Sequence, residues 1–420
     1  MIVDSLSSVL LMHTRAWWSD VALACGLVVA AFGMCTSIPV VYVGYALAAV
    51  GALLQFRSLT PFMIGWPWAV AFSVWMTVCG LLSPFEASRV PPGWAYCWPA
   101  LPLWALAASQ PRRLSLAMRG LLGGAVFASS LALVQFIVGY RNDASPWRVD
   151  SNGIRYVKAS GFYSHWIRFG DALAFASLWL VAWFYRTMAS SQCQAWWRSG
   201  VCALMAMGIV ATFISSARGA FLAFIVGGWV MAAGLLSWRR LGVVTLGLIV
   251  VLGVAGVIAW PTHGERIQSA LAGKDGRTYI WHTAWETFCL YPVTGVGHRG
   301  YDPAALATVA RGLSPAGPEG ANMGNAHNSF LSLLVLYGIP GFLLWCGWLT
   351  SVVRHLWRLR QRHPAVWPLV LATLGVFLVG SLTEDLAAYA SSRFQLFFGL
   401  ALALGCTAGT GTASLVKSDE

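Results

Sequence analysis

Charge is what this chain of 420 residues has least of. Charged side chains make up 10% of it and hydrophobic ones 58%, whereas soluble domains carry roughly 25% charged residues. Such a chain cannot cover an ordinary globule with polar groups, so a water-soluble fold is excluded. Its nine cysteines are scattered, mostly in apolar runs, and no two stand at CxxC spacing, so neither a disulfide framework nor a zinc site is indicated. Residues 1–20 lack the charged, apolar and small-residue order of a cleavable signal peptide. There is also no DxD and no His/carboxylate cluster in the segments expected outside the membrane, so no metal is expected.

What the chain has is long apolar runs. Stretches of the length that crosses a hydrocarbon core, about 17–25 residues, fall near 21–36, 38–56, 62–82, 94–109, 117–139, 165–185, 199–215, 219–237, 241–260, 328–350, 365–382 and 393–412. Backbone polar groups in lipid must be satisfied within the segment or in a closed barrel, and these runs are too long and too uniform for barrel strands. The expected fold is therefore an all-α integral membrane protein of about twelve transmembrane helices. Three parts follow: a bundle over 1–261, a large external loop over 262–327, and closing helices with a short tail over 328–420.

Charge gives the orientation. With both termini cytoplasmic, the inside holds 14 of the 27 basic residues but only four of the 15 acids, and the internal cytoplasmic loops hold no carboxylate, as the positive-inside rule expects. The net charge of +12 then reflects topology. Nucleic acid is not an expected partner, because the basic loops are short and lack interleaved aromatic residues. Many of the 23 tryptophans, among them Trp17, Trp18, Trp94, Trp98, Trp196 and Trp197, stand at span ends and suit an interfacial belt against membrane lipids.

Three outer segments carry the remaining polar chemistry. In 140–168, Arg141, Arg148, Arg155, Lys158 and Arg168 surround the Gly161–His165 turn, which is either a solvated loop or an electropositive rim for an anionic headgroup. Between two spans stands Arg218. A cation within a span costs roughly 2.5–3.5 kcal/mol, so it snorkels or finds an anionic partner, and a phosphate is the reading preferred here. In 262–327, Asp275 is placed to cap a helix from Gly276 to Tyr291-Pro292, whose Ile280, Trp281, Ala284, Trp285 and Phe288 form one apolar face. Arg277 in its first turn gains nothing from the helix dipole, which suits an anion-binding corner beside free N–H groups.

Gly295-Val296-Gly297-His298-Arg299-Gly300 matches the dinucleotide fingerprint formally, but it follows a helix and a proline rather than a strand, so a tight turn is expected. His298 and Arg299 are candidates to line a polar site there. Asn325-Ala326-His327-Asn328 then stands just before a span expected to end at Tyr337-Gly338-Ile339-Pro340-Gly341. A neutral imidazole, with a usual pKa near 6.5, can take a proton from a hydroxyl. Adjacent Glu384-Asp385 is the one acidic pair in the outer segments, read as a helix cap or a partner for Arg393.

Ser216-Ala217-Arg218-Gly219, Arg277 with Trp281, Pro292 with Gly295-Val296-Gly297, and His327-Asn328 with Gly338 downstream, in that order, resemble the O-antigen ligase and polymerase superfamily. The resemblance implies a GT-C-like fold with a periplasmic helical loop, in the bacterial inner membrane. It also implies transfer of a glycan from undecaprenyl pyrophosphate to an acceptor, which in lipopolysaccharide ligases is a sugar hydroxyl of lipid A–core. Carried over by position, Arg218 and Arg277 correspond to the paired essential arginines and His327 to the essential histidine. Arg155, Lys158, Arg168, His298, Arg299, Asn325 and Asn328 are expected to bind substrate, with no cofactor and no metal. A polymerase joining lipid-linked repeats is the alternative within the superfamily. Protein-targeting ligation is disfavoured by a tail of only eight residues after 412. A non-enzymatic flippase is disfavoured because polar residues gather on one side rather than along a route.

Overall fold

The computed structural model describes residues 2–89, 97–138, 148–149, 155–156, 159–163, 165–188, 210, 212, 214–215, 217–250, 276–314, 324–387 and 389–408. It is a helical membrane protein. Its helices are α1 (Ile2–Thr36), α2 (Ile38–Leu54), α3 (Trp66–Leu82), α4 (Ala100–Ala108), α5 (Pro111–Val138), α6 (Trp166–Met188), α7 (Arg218–Leu235), α8 (238–250), α9 (Gly276–Leu290), α10 (Tyr301–Ala310), α11 (Ser329–Leu359), α12 (Trp367–Thr383) and α13 (Ala390–Ala408). The described residues hold one antiparallel pairing, of β1 (Arg148–Val149) with β2 (Arg155–Tyr156), which sets Val149 opposite Arg155.

Six helices among the described residues are long and apolar enough to cross a membrane: Thr14–Thr36, Pro111–Val138, Trp166–Tyr185, Arg218–Leu235, Ser329–Leu359 and Pro364–Thr383. Two more, Ile38–Leu54 and Trp66–Leu82, are apolar but shorter. The described residues do not carry all of the twelve runs read from composition. Of the run at 94–109, whose first three residues lie outside the described residues, Ala100–Ala108 form the nine-residue α4, which at about 1.5 Å per residue does not by itself span a 30 Å core. Most of 199–215 and the end of 241–260 lie outside the described residues.

α13 forms the centre of the bundle, with every residue from Ser391 to Cys406 buried. Beyond the polar Ser391–Arg393 and Gln395 near its start it is almost wholly apolar, as burial on every side requires, and Phe394, Phe397 and Phe398 pack their rings against Trp104, Trp98, Trp348 and Trp179. Beside it, α1 and α2 approach closely because Gly26 and Gly44 face Ala48 and Ala30, where a Cβ would meet the opposite backbone. Small residues that let backbones touch are the usual means of helix association where no water drives it.

α11 runs through the Tyr337–Gly341 sequence instead of ending there. Gly338 takes φ 66°, ψ −173° and kinks the helix, in a region of backbone space open essentially to glycine alone. Into the kink docks the Gly295–Gly300 turn: Val296 and Gly297 N–H donate to the Val335 and Leu336 carbonyls, and Ile339 N–H donates to Pro292 O. The glycines of the formal dinucleotide motif thus serve a close backbone contact. Ser83 and Ser88 hydroxyls both donate to Val296 O.

A second, smaller hydrophobic cluster forms beneath this turn, from Ala284, Phe288, Val296, Tyr301, Ala304, Ala305, Ala326 and Val335. It fixes α9 and α10 against the start of α11. The stripe that α9 buries has Ile280, Ala284 and Phe288 as expected, but Thr283 and Thr287 take the places expected for the tryptophans. Trp281 and Trp285 point outward, 39% and 51% exposed. The threonines can be buried because their hydroxyls bond carbonyls of their own helix, Tyr279 O and Thr283 O, and also lie 2.8 Å from Ser314 Oγ and 3.0 Å from Thr308 Oγ1. Asp275, the expected cap, lies outside the described residues.

Candidate active site

Helix ends build the site. The beginnings of α6, α7, α9 and α11 and the end of α12 meet at one end of the bundle, around Glu384. This residue is the C-cap of α12, with its N–H donating to Gly380 O. Its carboxylate, 3% exposed, holds two partners. Arg277 Nη2 donates to Oε1 at 2.7 Å, and His327 Nδ1 lies 3.1 Å from Oε2. A buried carboxylate carries a desolvation cost that only close partners offset, so the guanidinium and the imidazole are both held by the same need.

Each side chain reaches this carboxylate through local geometry. Arg277 leaves the first turn of α9 and stays 39% exposed, so one nitrogen is fixed while others of its five donors face outward. His327 takes φ 46°, a left-handed conformation that is uncommon outside glycine, although His visits it more than bulky residues do. Asn325 holds it there, its Oδ1 accepting the His327 N–H at 3.0 Å. Asn328 follows as the N-cap of α11, its Oδ1 accepting from Phe330 and Leu331 N–H, so its carbonyl side is engaged in capping.

Arg218 opens α7 and is exposed. The next residue, Gly219, packs against Thr383 Oγ1 and the Glu384 side chain, so the structure brings the Arg218 backbone to the same corner. Arg168, near the start of α6, lies over the Tyr389 ring at 4.4 Å, and Asn325 Nδ2 donates to the Tyr389 hydroxyl at 3.3 Å. The segment before α6 is pinned from behind: Tyr163 OH donates to Met34 O at 2.6 Å, and Gln135 bonds Ser160 N–H, Gly161 N–H and Gly161 O.

His298 and Arg299 stand on the other side of Asn325, where all three contribute to the wall of a cavity of about 180 Å³. Burial first, then the nearby Arg393 and Arg299 charges, pulls the His298 imidazole down to about 4. It is therefore neutral at ordinary pH. Arg155 lies in β2, of which only the backbone is described, and Lys158 lies outside the described residues. Among the described residues, no group of three or more His, Cys, Asp and Glu is placed to hold a metal ion.

The residue that sequence reasoning misplaced is Glu384, read as a cap or as a partner of Arg393. It is a cap through its backbone, but its side chain joins Arg277 to His327 across separations of 107 and 57 residues. The available signal was its isolation: an acidic pair in outer segments otherwise rich in arginine has cationic partners to find. Asp385, its neighbour, is buried and accepts from the Ser332 hydroxyl at 2.5 Å.

Compared with known proteins, no individual curated protein matches the chain. The model of the O-antigen ligase family matches residues 200–346, the stretch that carries Arg218, Arg277, Trp281, Gly295 and His327, as expected of a member of that family.

Proposed function

We propose that this protein is an O-antigen ligase that transfers a glycan from undecaprenyl pyrophosphate to a sugar hydroxyl of lipid A–core. In this reading it is a GT-C-like bundle of about twelve spans in the inner membrane, with residues 262–327 as a periplasmic canopy over the site. The observation that carries the chemistry is the shared Glu384 carboxylate, which sets a guanidinium and an imidazole side by side. An ionised carboxylate only accepts hydrogen bonds. The His327 proton therefore sits on Nδ1, and Nε2 is left as the base, an orientation that a carboxylate partner commonly imposes on catalytic histidines.

The reaction balances without a cofactor. His327 Nε2 takes the proton of the acceptor hydroxyl as its oxygen bonds to the anomeric carbon. The bond from that carbon to the diphosphate oxygen breaks, and its electron pair leaves with the diphosphate. Glu384 stabilises the imidazolium that forms. Arg277, with the outward donors of its guanidinium, and Arg218, at a helix start whose free N–H groups also favour anions, receive the growing negative charge. A single displacement inverts the anomeric centre.

The test offers purified full-length protein in detergent the lipid-linked glycan donor with two acceptors, lipid A–core and a second lipid-linked repeat, in EDTA and without nucleotide. Glycan on lipid A–core is the expected product. Extension of the lipid-linked repeat instead would make the protein a polymerase, and a requirement for ATP would end the proposal.

A further inference from the structure

The cavity beside the Glu384-Asp385 corner has a wall that the diphosphate chemistry leaves unused. Besides His298, Arg299 and Asn325, it is built from Tyr301, Ser332, Tyr337, Asp385 and Arg393. Its volume of about 180 Å³ equals that of roughly six waters at about 30 Å³ each. It falls below the roughly 300–1,000 Å³ of pockets for drug-sized ligands, a size that suits a single sugar ring better than an oligosaccharide.

The wall also favours an uncharged polyol. Tyr301 is 4% exposed, and its hydroxyl has no hydrogen-bond partner among the described residues. A buried hydroxyl left in that state is unfavourable, and a ligand hydroxyl would relieve it. Asp385, 1% exposed, brings a carboxylate, an acceptor of up to about four hydrogen bonds. One of its oxygens accepts from Ser332, and with Arg299 and Arg393 in the same wall it offers sugar hydroxyls both acceptors and donors. Position links the cavity to the transfer site: Asn325 contributes to this wall and also accepts the His327 backbone N–H, and Asp385 follows Glu384, which holds the His327 ring.

We infer that this cavity is the subsite for one pyranose ring of the acceptor, with Tyr301 and Asp385 bonding its hydroxyls and so presenting the attacking oxygen to His327. The assignment rests on the transfer reaction proposed above. Its chemistry, recognition of a single sugar ring, could also be met by the first sugar of the donor.

Two measurements separate these cases. In transfer assays with full-length protein in detergent, Tyr301→Phe removes one oxygen and is expected to raise the acceptor KM about three- to tenfold, with the donor KM unchanged and the thermal midpoint no lower. A rise in the donor KM instead would assign the ring to the donor and overturn the acceptor subsite, as would no change in either. The second measurement is saturation-transfer NMR of wild-type protein with methyl hexopyranosides. It is expected to show contact that inorganic pyrophosphate does not displace and that Tyr301→Phe weakens. This readout stands even if wild-type protein transfers no glycan, in which case the reaction fails and the sugar site survives. Absence of contact from every methyl hexopyranoside, or its displacement by pyrophosphate, would overturn the inference, also if Tyr301→Phe does not fold.

Discussion

At the scale of single residues, the site rests on groups whose protonation the fold decides. His298 is the clearest case. Its imidazole titrates near 6.5 in an unfolded chain and at about 4 in the fold, so between these values the unfolded state binds more protons. Stability is then full above about pH 7 and falls as pH drops through 6.5 toward 4. The loss is at most about 3 kcal/mol, and less where water reaches the ring. Thermal midpoints of wild type and His298→Gln from pH 7 to 4.5 check this: wild type is expected to lose more on acidification, and parallel curves would contradict it. His327 shows a different constraint, a left-handed backbone held by Asn325 so that the ring meets Glu384. Nothing in the local sequence announces that conformation. His327 was legible as a candidate because its neighbours are polar at a span edge, whereas its partner lies 57 residues away and could be found only by folding the chain.

At the scale of elements, the decisive feature is the kink in α11 and the turn that fills it. Tyr337-Gly338-Ile339-Pro340-Gly341 reads in sequence as a helix end, since glycine and proline together usually stop a helix. The structure continues the helix because the carbonyls and N–H groups released at Gly338 are taken up by the 292–297 turn. A Cβ at Gly338 would collide with the Val293 carbonyl, and its φ and ψ are closed to other residues. Gly338→Ala is therefore expected to destabilise the protein by about 3 kcal/mol or more, seen as a lower thermal midpoint and faster exchange of the Val296 and Gly297 amides. An unchanged midpoint would show that the turn does not depend on the kink. The α9 helix was legible from its period and stop signal, as were Ile280, Ala284 and Phe288 on its buried side. Threonines bonded to their own helix replaced the tryptophans there, a choice set by α10 and α11 rather than by hydropathy.

At the scale of the whole molecule, helix starts and one helix end bring polar residues to a single end of an apolar bundle. The membrane character was legible from composition, because long apolar runs in a chain so poor in charge have no other stable place. Six helices among the described residues qualify as crossings by length and apolarity, and apolarity by itself marks burial in protein as well as in lipid: α4 is apolar and wholly enclosed. In the proposed orientation, with both termini cytoplasmic, the site end faces outward. Cys289, exposed at the end of α9, tests that placement. A membrane-impermeant maleimide is expected to label it in intact spheroplasts, with labelling lost in Cys289→Ser, and labelling only after lysis would reverse the orientation.

The central claim is that Glu384 and His327 act as one unit in the proton transfer, and a double-mutant cycle on glycan transfer tests it most directly. Glu384→Gln keeps an oxygen for Arg277 but removes the charge behind the imidazole, while His327→Ala removes the base and is expected to cost about 10²–10⁴-fold in rate. Residues that act as a unit give strongly non-additive losses. The predicted result is a double variant whose loss falls well short of the product of the two single losses. Losses that multiply would contradict the account.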